Sequence, residues 1–490
     1  MGLFLIGRGH DGPARKGKYQ IGEDEFLTPT LISAESFRLA SLSYITSEKD
    51  NRQSEGISFQ SLGSLHGELE STSKPTQNTL YVLPSLMSFD SLGSDASAAL
   101  LDFQIEFLNQ NKDQFEPAQC LIRVPTGLDP DTALTRLNDV DSMGVAGGVY
   151  RFSGDLGHSD FDSLMTRSLS PRNWLAVAAG RIEPFMVPLL YYLGFDVMDI
   201  GRAQEAASVG IRLWRTQDEP ISKSSTSRFC SCSACQSHED LIELSRDELV
   251  KTLEAHNHLV YEMILSESVL AFNDGKLRWL VESLTHATPS VASILRRIDS
   301  ALYPFLEEFT PNTGHSPLYL IGPESYHAPA IRRFREKLVK RYSPPKSKSL
   351  ILLLPCSARK PYSDSKSHRL FTQVVDSALG AARTNLSEVI VTSPLGVIPR
   401  ELERVFPVQQ YDLPVTGDWD HEETEIAAAA LGHHLGKFNK DVVVVAHVSG
   451  GYLDIVRAAE DRVEQSIIYT SSESRATHSD ALNSLRETLH

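Results

Sequence analysis

Three of the five cysteines, Cys230, Cys232 and Cys235, fall within six residues, a spacing suited to a soft metal ion. A downstream histidine, His256 or His258, completes a Cys3His set. Such a set makes a closed tetrahedral Zn²⁺ site of the structural kind, with no open position for catalysis. The two histidines stand two apart on a helical stretch, so they face different directions and only one can join. His238, three residues past Cys235, would strain the loop. A second grouping is of another kind: Pro355-Cys356 directly follows the apolar run Leu350–Leu354, and Lys360 and His368 lie close behind it. A thiol beside a cation is a candidate nucleophile, because such neighbours favour the thiolate. Cys120 sits alone among apolar residues.

The elements that must hold these groups can be read from periodicity. Residues 1 to about 310 alternate strand-like runs (79–83, 120–124, 148–152) with helical stretches, the mark of βα units and a parallel sheet or barrel. A polar, Ser-rich stretch over 218–227 precedes the cysteines as a loop, and a helix is expected from 240 to about 272. Residues 311–348 read as a basic connector, with turns at Pro311, Asn312 and Gly314 and at 343–346. Within it Ile331, Phe334, Leu338 and Tyr342 share one helical face, and Arg332, Arg333, Arg335, Lys337, Lys340 and Arg341 cover the rest. These cations are either a solvated surface or a contact to nucleic-acid phosphates.

Residues 349–490 read as a doubly wound α/β domain: apolar runs at 350–354, 389–391, 442–445 and 467–469 alternate with helical patterns over 370–382, 422–438 and 452–461. Ligands bind such open sheets beyond the carboxyl ends of the strands, which is where the loops starting at Pro355, Ser393 and His447 begin.

Composition sets limits. At 490 residues the chain is expected to form two or three domains, and 41% hydrophobic with 22% charged residues is a soluble balance. A net charge of −16 argues against indiscriminate nucleic-acid binding but leaves room for a local basic patch. No run is long enough for a membrane span, and the N-terminal Met1–Ile6 reads as a strand, not a signal peptide. Few, clustered cysteines suit a reducing cytoplasm. Ser-rich pieces over 54–73 read as a surface loop.

Two resemblances add to this. The cysteine spacing is similar to the zinc motif of the tRNA-guanine transglycosylases, in which the ligand histidine precedes asparagine; that implies His256, followed by Asn257, with His258 as the alternative. Leu27-Thr28-Pro29-Thr30 resembles that family's N-terminal strand end. Gly194–Asp199 resembles the segment of its nucleophilic aspartate, which would fall on Asp199; otherwise Asp199 is a helix cap after a strand. The family's base-recognition segment has only a poor counterpart, Ser88–Gly93. The implied fold is a transglycosylase-like (β/α) barrel over 1–310 with a zinc subdomain at about 228–272.

The stretch Pro355-Cys356-x3-Lys360-Pro361-Tyr362-x2-Ser365-x2-His368 resembles the signature of archaeosine synthases at every fixed position. Its surroundings do too: Ser393–Gly396, Pro399–Glu403, Tyr411-Asp412, and Ala446–Val448 before Gly450-Gly451-Tyr452. The resemblance implies a transferase acting on tRNA that carries 7-cyano-7-deazaguanine in its dihydrouridine loop. An amine donor, lysine or glutamine, adds to the nitrile, and a radical-SAM partner protein completes archaeosine. In that chemistry Cys356 adds as thiolate, Lys360 or His368 lowers its pKa, and His368 shuttles protons. Lys360 alternatively holds a phosphate or carboxylate, while Tyr362 and Ser365 orient the base or the nitrile nitrogen. Family members often carry a PUA-type RNA-binding domain; none is expected here, so a separate chain, or the connector and barrel, would serve. Two rivals remain: a transglycosylase inserting the free base, and a non-catalytic tRNA-binding subunit.

Overall fold

The computed structural model describes residues 2–5, 11–21, 24–32, 58–62, 79–85, 93–222, 230–414 and 418–490. The chain divides into two units, Met1–Thr310 and Pro311–His490. The expected surface loop at 54–73 is a strand over 58–61, and its residues 54–57 and 63–73, like Ser88–Leu92, lie outside the described residues.

The first unit is built on seven parallel strands: β1 (Thr30–Ile32), β2 (Ser58–Ser61), β3 (Thr79–Val82), β4 (Cys120–Val124), β5 (Gly147–Phe152), β6 (Leu175–Gly180) and β7 (Val197–Asp199). Their order is β1-β7-β6-β5-β4-β3-β2, a parallel sheet curled into a half-barrel. Alternation sorts the side chains: Leu121, Val149, Val177 and Val197 pack with Tyr19, Ile21 and Phe26 of an N-terminal antiparallel meander. Ile122, Tyr150, Ala178 and Met198 point the other way, into the larger helix-covered core. After β7 come α1 (Gly201–Ser208), the hairpin Ile211–Leu213/Asp218–Pro220, and α2 (Arg246–Asn273). The helix expected from 240 starts at 246, because Ser245 and Glu248 form a capping box there.

In the second unit α3 (Pro329–Arg341) leads into β8 (Leu350–Pro355), α4 (Lys366–Leu379), β9 (Leu386–Thr392), β10 (Gly396–Pro399), α5 (His421–Leu435), β11 (Val443–Ala446), α6 (Gly451–Ala459), β12 (Ile467–Tyr469) and α7 (Ser479–Leu489). The strand order is β10-β9-β8-β11-β12, parallel except for the edge strand β10. Helices cover both faces. Leu352, Leu354 and Val445 pack on Phe371 of α4 and Leu485 of α7; Ile351, Leu353 and Val444 pack with Ile331 of α3, Leu431 of α5 and Val456 of α6. This is a doubly wound sheet. Residues 311–348 are no free linker, since Leu320, Ile331, Phe334 and Leu338 are part of this core.

Among the described residues no helix is long and apolar enough to cross a membrane.

Candidate functional site

The cysteine cluster is assembled by three elements. Cys232 caps the short helix Ser233–Gln236, with its Sγ accepting from the Cys235 backbone N–H at 3.3 Å. His256 comes from the middle of α2, and its Nδ1 lies 3.4 Å from Cys230 Sγ, 3.4 Å from Cys232 Sγ and 3.5 Å from Cys235 Sγ. All four donor atoms fall within 4.8 Å of one another. A tetrahedral Zn²⁺ with ordinary bond lengths would separate nitrogen and sulfur by about 3.5 Å, so the donor set fits that ion. The far side of the ring is fixed as well: His256 Nε2–H donates to the Leu213 carbonyl at 2.9 Å, which leaves Nδ1 as the ligand atom. Arg212 approaches Cys235 Sγ at 3.8 Å while paired with Glu219 at 2.9 Å. Asn257 donates to Ala203 O and Ile211 O and accepts from the Leu213 N–H, tying α2 to α1 and the hairpin. The choice between the two histidines thus falls on His256, and His258 is not in the group.

Asp199 ends β7 and is fully buried; its Oδ1 accepts from the Gly201 N–H at 2.8 Å, a cap-like contact at the start of α1. Cys120 is buried at the start of β4, with its thiol pushed up to about 12 by burial, a packing cysteine.

In the second unit Cys356 follows β8, held to the sheet by its N–H donating to Val391 O at 3.2 Å. It is only partly buried. Its Sγ lies 3.0 Å from the Tyr452 hydroxyl. Tyr452 arrives from the first turn of α6, beyond Gly450, whose φ of 60° suits glycine. Lys360 Nζ sits 3.9 Å above the Tyr411 ring, a cation–π contact. Behind these runs a buried hydroxyl ladder in which the Tyr411 hydroxyl bonds to Tyr362 and, at 2.8 Å, to Thr392 Oγ1. Burial pushes the Cys356 thiol above its ordinary value, against the opposing pull of Tyr452, Thr392 and Lys360. Lys360 thus pulls the thiol down as expected, His368 is not among the groups acting on it, and loss of solvation outweighs the cation. Burial also lowers Lys360.

His368 is no free base. It is fully buried on α4, and Arg400 Nη2 donates to its Nδ1 at 2.8 Å while its Nε2–H donates to Pro355 O at 3.0 Å. Burial and the Arg400 charge hold its pKa down to about 3. Ser365 caps α4, accepting from the His368 N–H at 3.2 Å, and Tyr362 is buried in the ladder. Glu403 accepts from Ser363 N–H and Oγ, and Arg400 links Glu403 to Glu388. Of the signature's polar side chains, Cys356 and Lys360 are partly exposed, while Tyr362, Ser365 and His368 are buried. The histidine after the neighbouring strand, His447, is likewise spent, its Nδ1 accepting from Thr470 Oγ1 at 2.8 Å and its Nε2–H donating to Ala476 O at 2.7 Å.

The basic helix is only partly a surface. Arg333 is buried and donates to Pro311 O, and Arg335 donates to Pro394 O and Tyr326 O, both at 2.6 Å. Arg332 and Lys340 flank Glu336 at 3.0 and 3.2 Å, and Lys337 reaches Asn312 at 3.4 Å. Lys340 and Arg341 are exposed. The expectation that all six serve phosphates fails for Arg333 and Arg335, whose guanidinium groups satisfy backbone carbonyls of their own unit. A cavity of about 340 Å³ beside α3, lined by Phe334, Lys337, Arg341, Tyr342 and Phe406, shares no residue with the Cys356 cluster.

Residues 331–489 match a domain family described as a domain of unknown function, DUF5591. Over longer spans the chain is 33% identical to archaeosine synthase subunit alpha of Thermococcus kodakarensis, covering 63% of this chain and 48% of the relative. It is 31% identical to archaeosine synthase of Haloferax volcanii, covering 74% and 59%. The chain is related to the archaeosine synthases. It is also 29% identical, over 50% of its length and 36% of the relative, to the tRNA-guanine(15) transglycosylase of Methanothermobacter thermautotrophicus. The chain thus spans about half the length of the archaeosine synthases it matches. Both resemblances read from the motifs are met in these relatives. The residues that motif reading left without a role are Tyr452, Tyr411, Thr392 and Arg400; the first, second and fourth lie in segments resembling archaeosine synthases.

Proposed function

We propose that the chain modifies tRNA on the route to archaeosine, adding an amine to the nitrile of 7-cyano-7-deazaguanine already in the dihydrouridine loop. The observation that carries this is the partly exposed thiol of Cys356, set at the end of β8 outside the Cys3His group and 3.0 Å from the Tyr452 hydroxyl. A nitrile carbon is attacked by a soft nucleophile, and the thioimidate formed is a good acceptor for an amine. In the first half-reaction the S–C bond forms, one C–N π bond breaks, and the thiol proton ends on nitrogen. In the second, lysine or glutamine nitrogen bonds to that carbon and gives up a proton, the C–S bond breaks, and sulfur regains a proton as the thiol. Lys360 eases the negative charge that builds on sulfur as the C–S bond breaks and suits a phosphate or carboxylate of the incoming partners. His368 acts as a positioning residue, fixing Pro355 and hence the start of the Cys356 loop.

The Cys3His group holds Zn²⁺ in this reading, as a fold-stabilising ion that takes no part in the reaction. Lys337, Lys340, Arg341 and Arg332 supply tRNA phosphate contacts. The name "subunit alpha" among the relatives supports a partner protein, of radical-SAM type if the product is a lysine adduct, and a separate PUA-domain chain would add RNA affinity. The compartment of such a reaction is the cytoplasm. The test is mass spectrometry of nucleosides from nitrile-bearing tRNA incubated with the protein and either lysine or glutamine. An amidine adduct with one of them supports the reading; unchanged nitrile with both refutes it.

Asp199 favours a second reading, a transglycosylase, through its burial at the end of β7 and the similarity to transglycosylases. Incorporation of labelled free base into unmodified tRNA would establish it in place of the first.

A further inference from the structure

The proposed addition requires a proton to travel from sulfur to nitrogen, and the signature's histidine cannot carry it. Both ring nitrogens of His368 are engaged, one by Arg400 and one by Pro355 O. Lys360 lies over the Tyr411 ring. Thr392 is buried, with its hydroxyl bonded to Tyr411 at 2.8 Å and to Ser393 O at 3.2 Å. One hydroxyl touches the thiol from a residue that is itself partly exposed: that of Tyr452, 3.0 Å from Cys356 Sγ. Its ring is braced by the edge of Trp419, with centroids 5.1 Å apart.

We infer that Tyr452 is a catalytic residue, the relay that takes the Cys356 thiol proton while giving its own phenolic proton to the nitrile nitrogen. This rests on the nitrile-addition reading above. The balance closes without a co-reactant: S–H and O–H break, O–H and N–H form, and the phenol is regenerated as the S–C bond forms. In the second half-reaction the path runs backwards in part. The attacking amine gives up a proton, the hydroxyl passes one to the departing sulfur, and the C–S bond breaks. Burial raises both the thiol and the phenol, so each starts neutral, as a concerted transfer requires.

The experiment is Tyr452→Phe in the full chain, which keeps the ring against Trp419 and deletes the hydroxyl. With nitrile-bearing tRNA and the effective amine, single-turnover adduct formation should fall roughly 10²- to 10⁴-fold, the usual weight of general acid–base catalysis. The tRNA Kd and the Tm should stay at parent values. A rate within about threefold of the parent overturns the relay, as does a loss of rate in Thr392→Val with Tyr452→Phe unaffected. If the phenylalanine variant folds poorly, site-specific fluorination of the Tyr452 ring keeps the hydroxyl and lowers its pKa. The pH–rate profile should then shift to lower pH, and an unmoved profile overturns the inference. An inactive parent chain would instead refute the nitrile reading itself, so the two failures are distinguishable.

Discussion

The two cysteine sites use the same atom in opposite ways. In the first unit three thiols converge on one imidazole nitrogen, all but Cys232 buried, and the ring's other nitrogen is tied to Leu213. Nothing there is left to meet a substrate. In the second unit one thiol stands alone at a strand end with a hydroxyl and an ammonium group near it and solvent on one side. What separates a structural cysteine from a candidate nucleophile is therefore the number of partners that satisfy it, not the residue or its burial alone.

The comparison breaks most sharply under substitution. Cys356→Ser should lower adduct formation on the order of 10³-fold or more, with tRNA affinity and Tm kept, because a serine oxygen is a harder and far weaker nucleophile toward a nitrile than a cysteine sulfur. Adduct formation by this variant at near the parent rate would remove the covalent route. Cys232→Ser should do the reverse. Bound zinc, measured by elemental analysis, should fall, and stability should drop by several kcal/mol, since binding energy at such a site is folding energy. The rate per folded molecule should be preserved, and unchanged zinc content would refute the assignment.

Acid sharpens the contrast by acting on the second unit. His368 is held down to about 3, and His434 and His447 to about 4, mainly by burial. Their pKa values are depressed on folding, so the stability they lend is fully present above the unfolded value of about 6.5. It is lost as pH falls from there toward about 4, because the unfolded chain binds the protons that the folded one refuses. Thermal melts at stepped pH should show the second unit weakening across that window by roughly a few kcal/mol, and flat melts would contradict the buried neutral imidazoles.

The smallest effect is expected on α3. Replacing Lys337, Lys340 and Arg341 together should flatten the salt dependence of tRNA binding by up to about three units of slope. Arg333→Ala should instead cost stability, since its partner is the Pro311 carbonyl. A filter-binding salt series on both variants separates the cases.

Much of this was legible in the sequence because strand ends and ligand spacing are local. The run 350–354 announced β8, and with it the place of Cys356. Three cysteines in six residues announced a metal site, though spacing alone left His256 and His258 open. Only the packing of α2 against the hairpin decides which imidazole turns inward. The basic helix was misread in part for the same reason. A cation's periodicity says which side of the helix it leaves from, not whether a turn some twenty residues back offers a carbonyl to it. His368 was legible as a motif position but not as a spent one, since Arg400 reaches it from another strand's loop. Tyr452 was equally hidden, nearly a hundred residues from the thiol it touches.

The central claim is that Cys356 forms a bond to the nitrile carbon, and it can be tested by withholding the amine. The full chain is incubated with nitrile-bearing tRNA alone, quenched in acid, digested with nuclease and protease, and the peptides are analysed by mass spectrometry. The account predicts a modified base on the peptide carrying Cys356, absent from Cys356→Ser and discharged on adding the effective amine. A chain that turns over once the amine is supplied, yet never carries the base on Cys356, would contradict it.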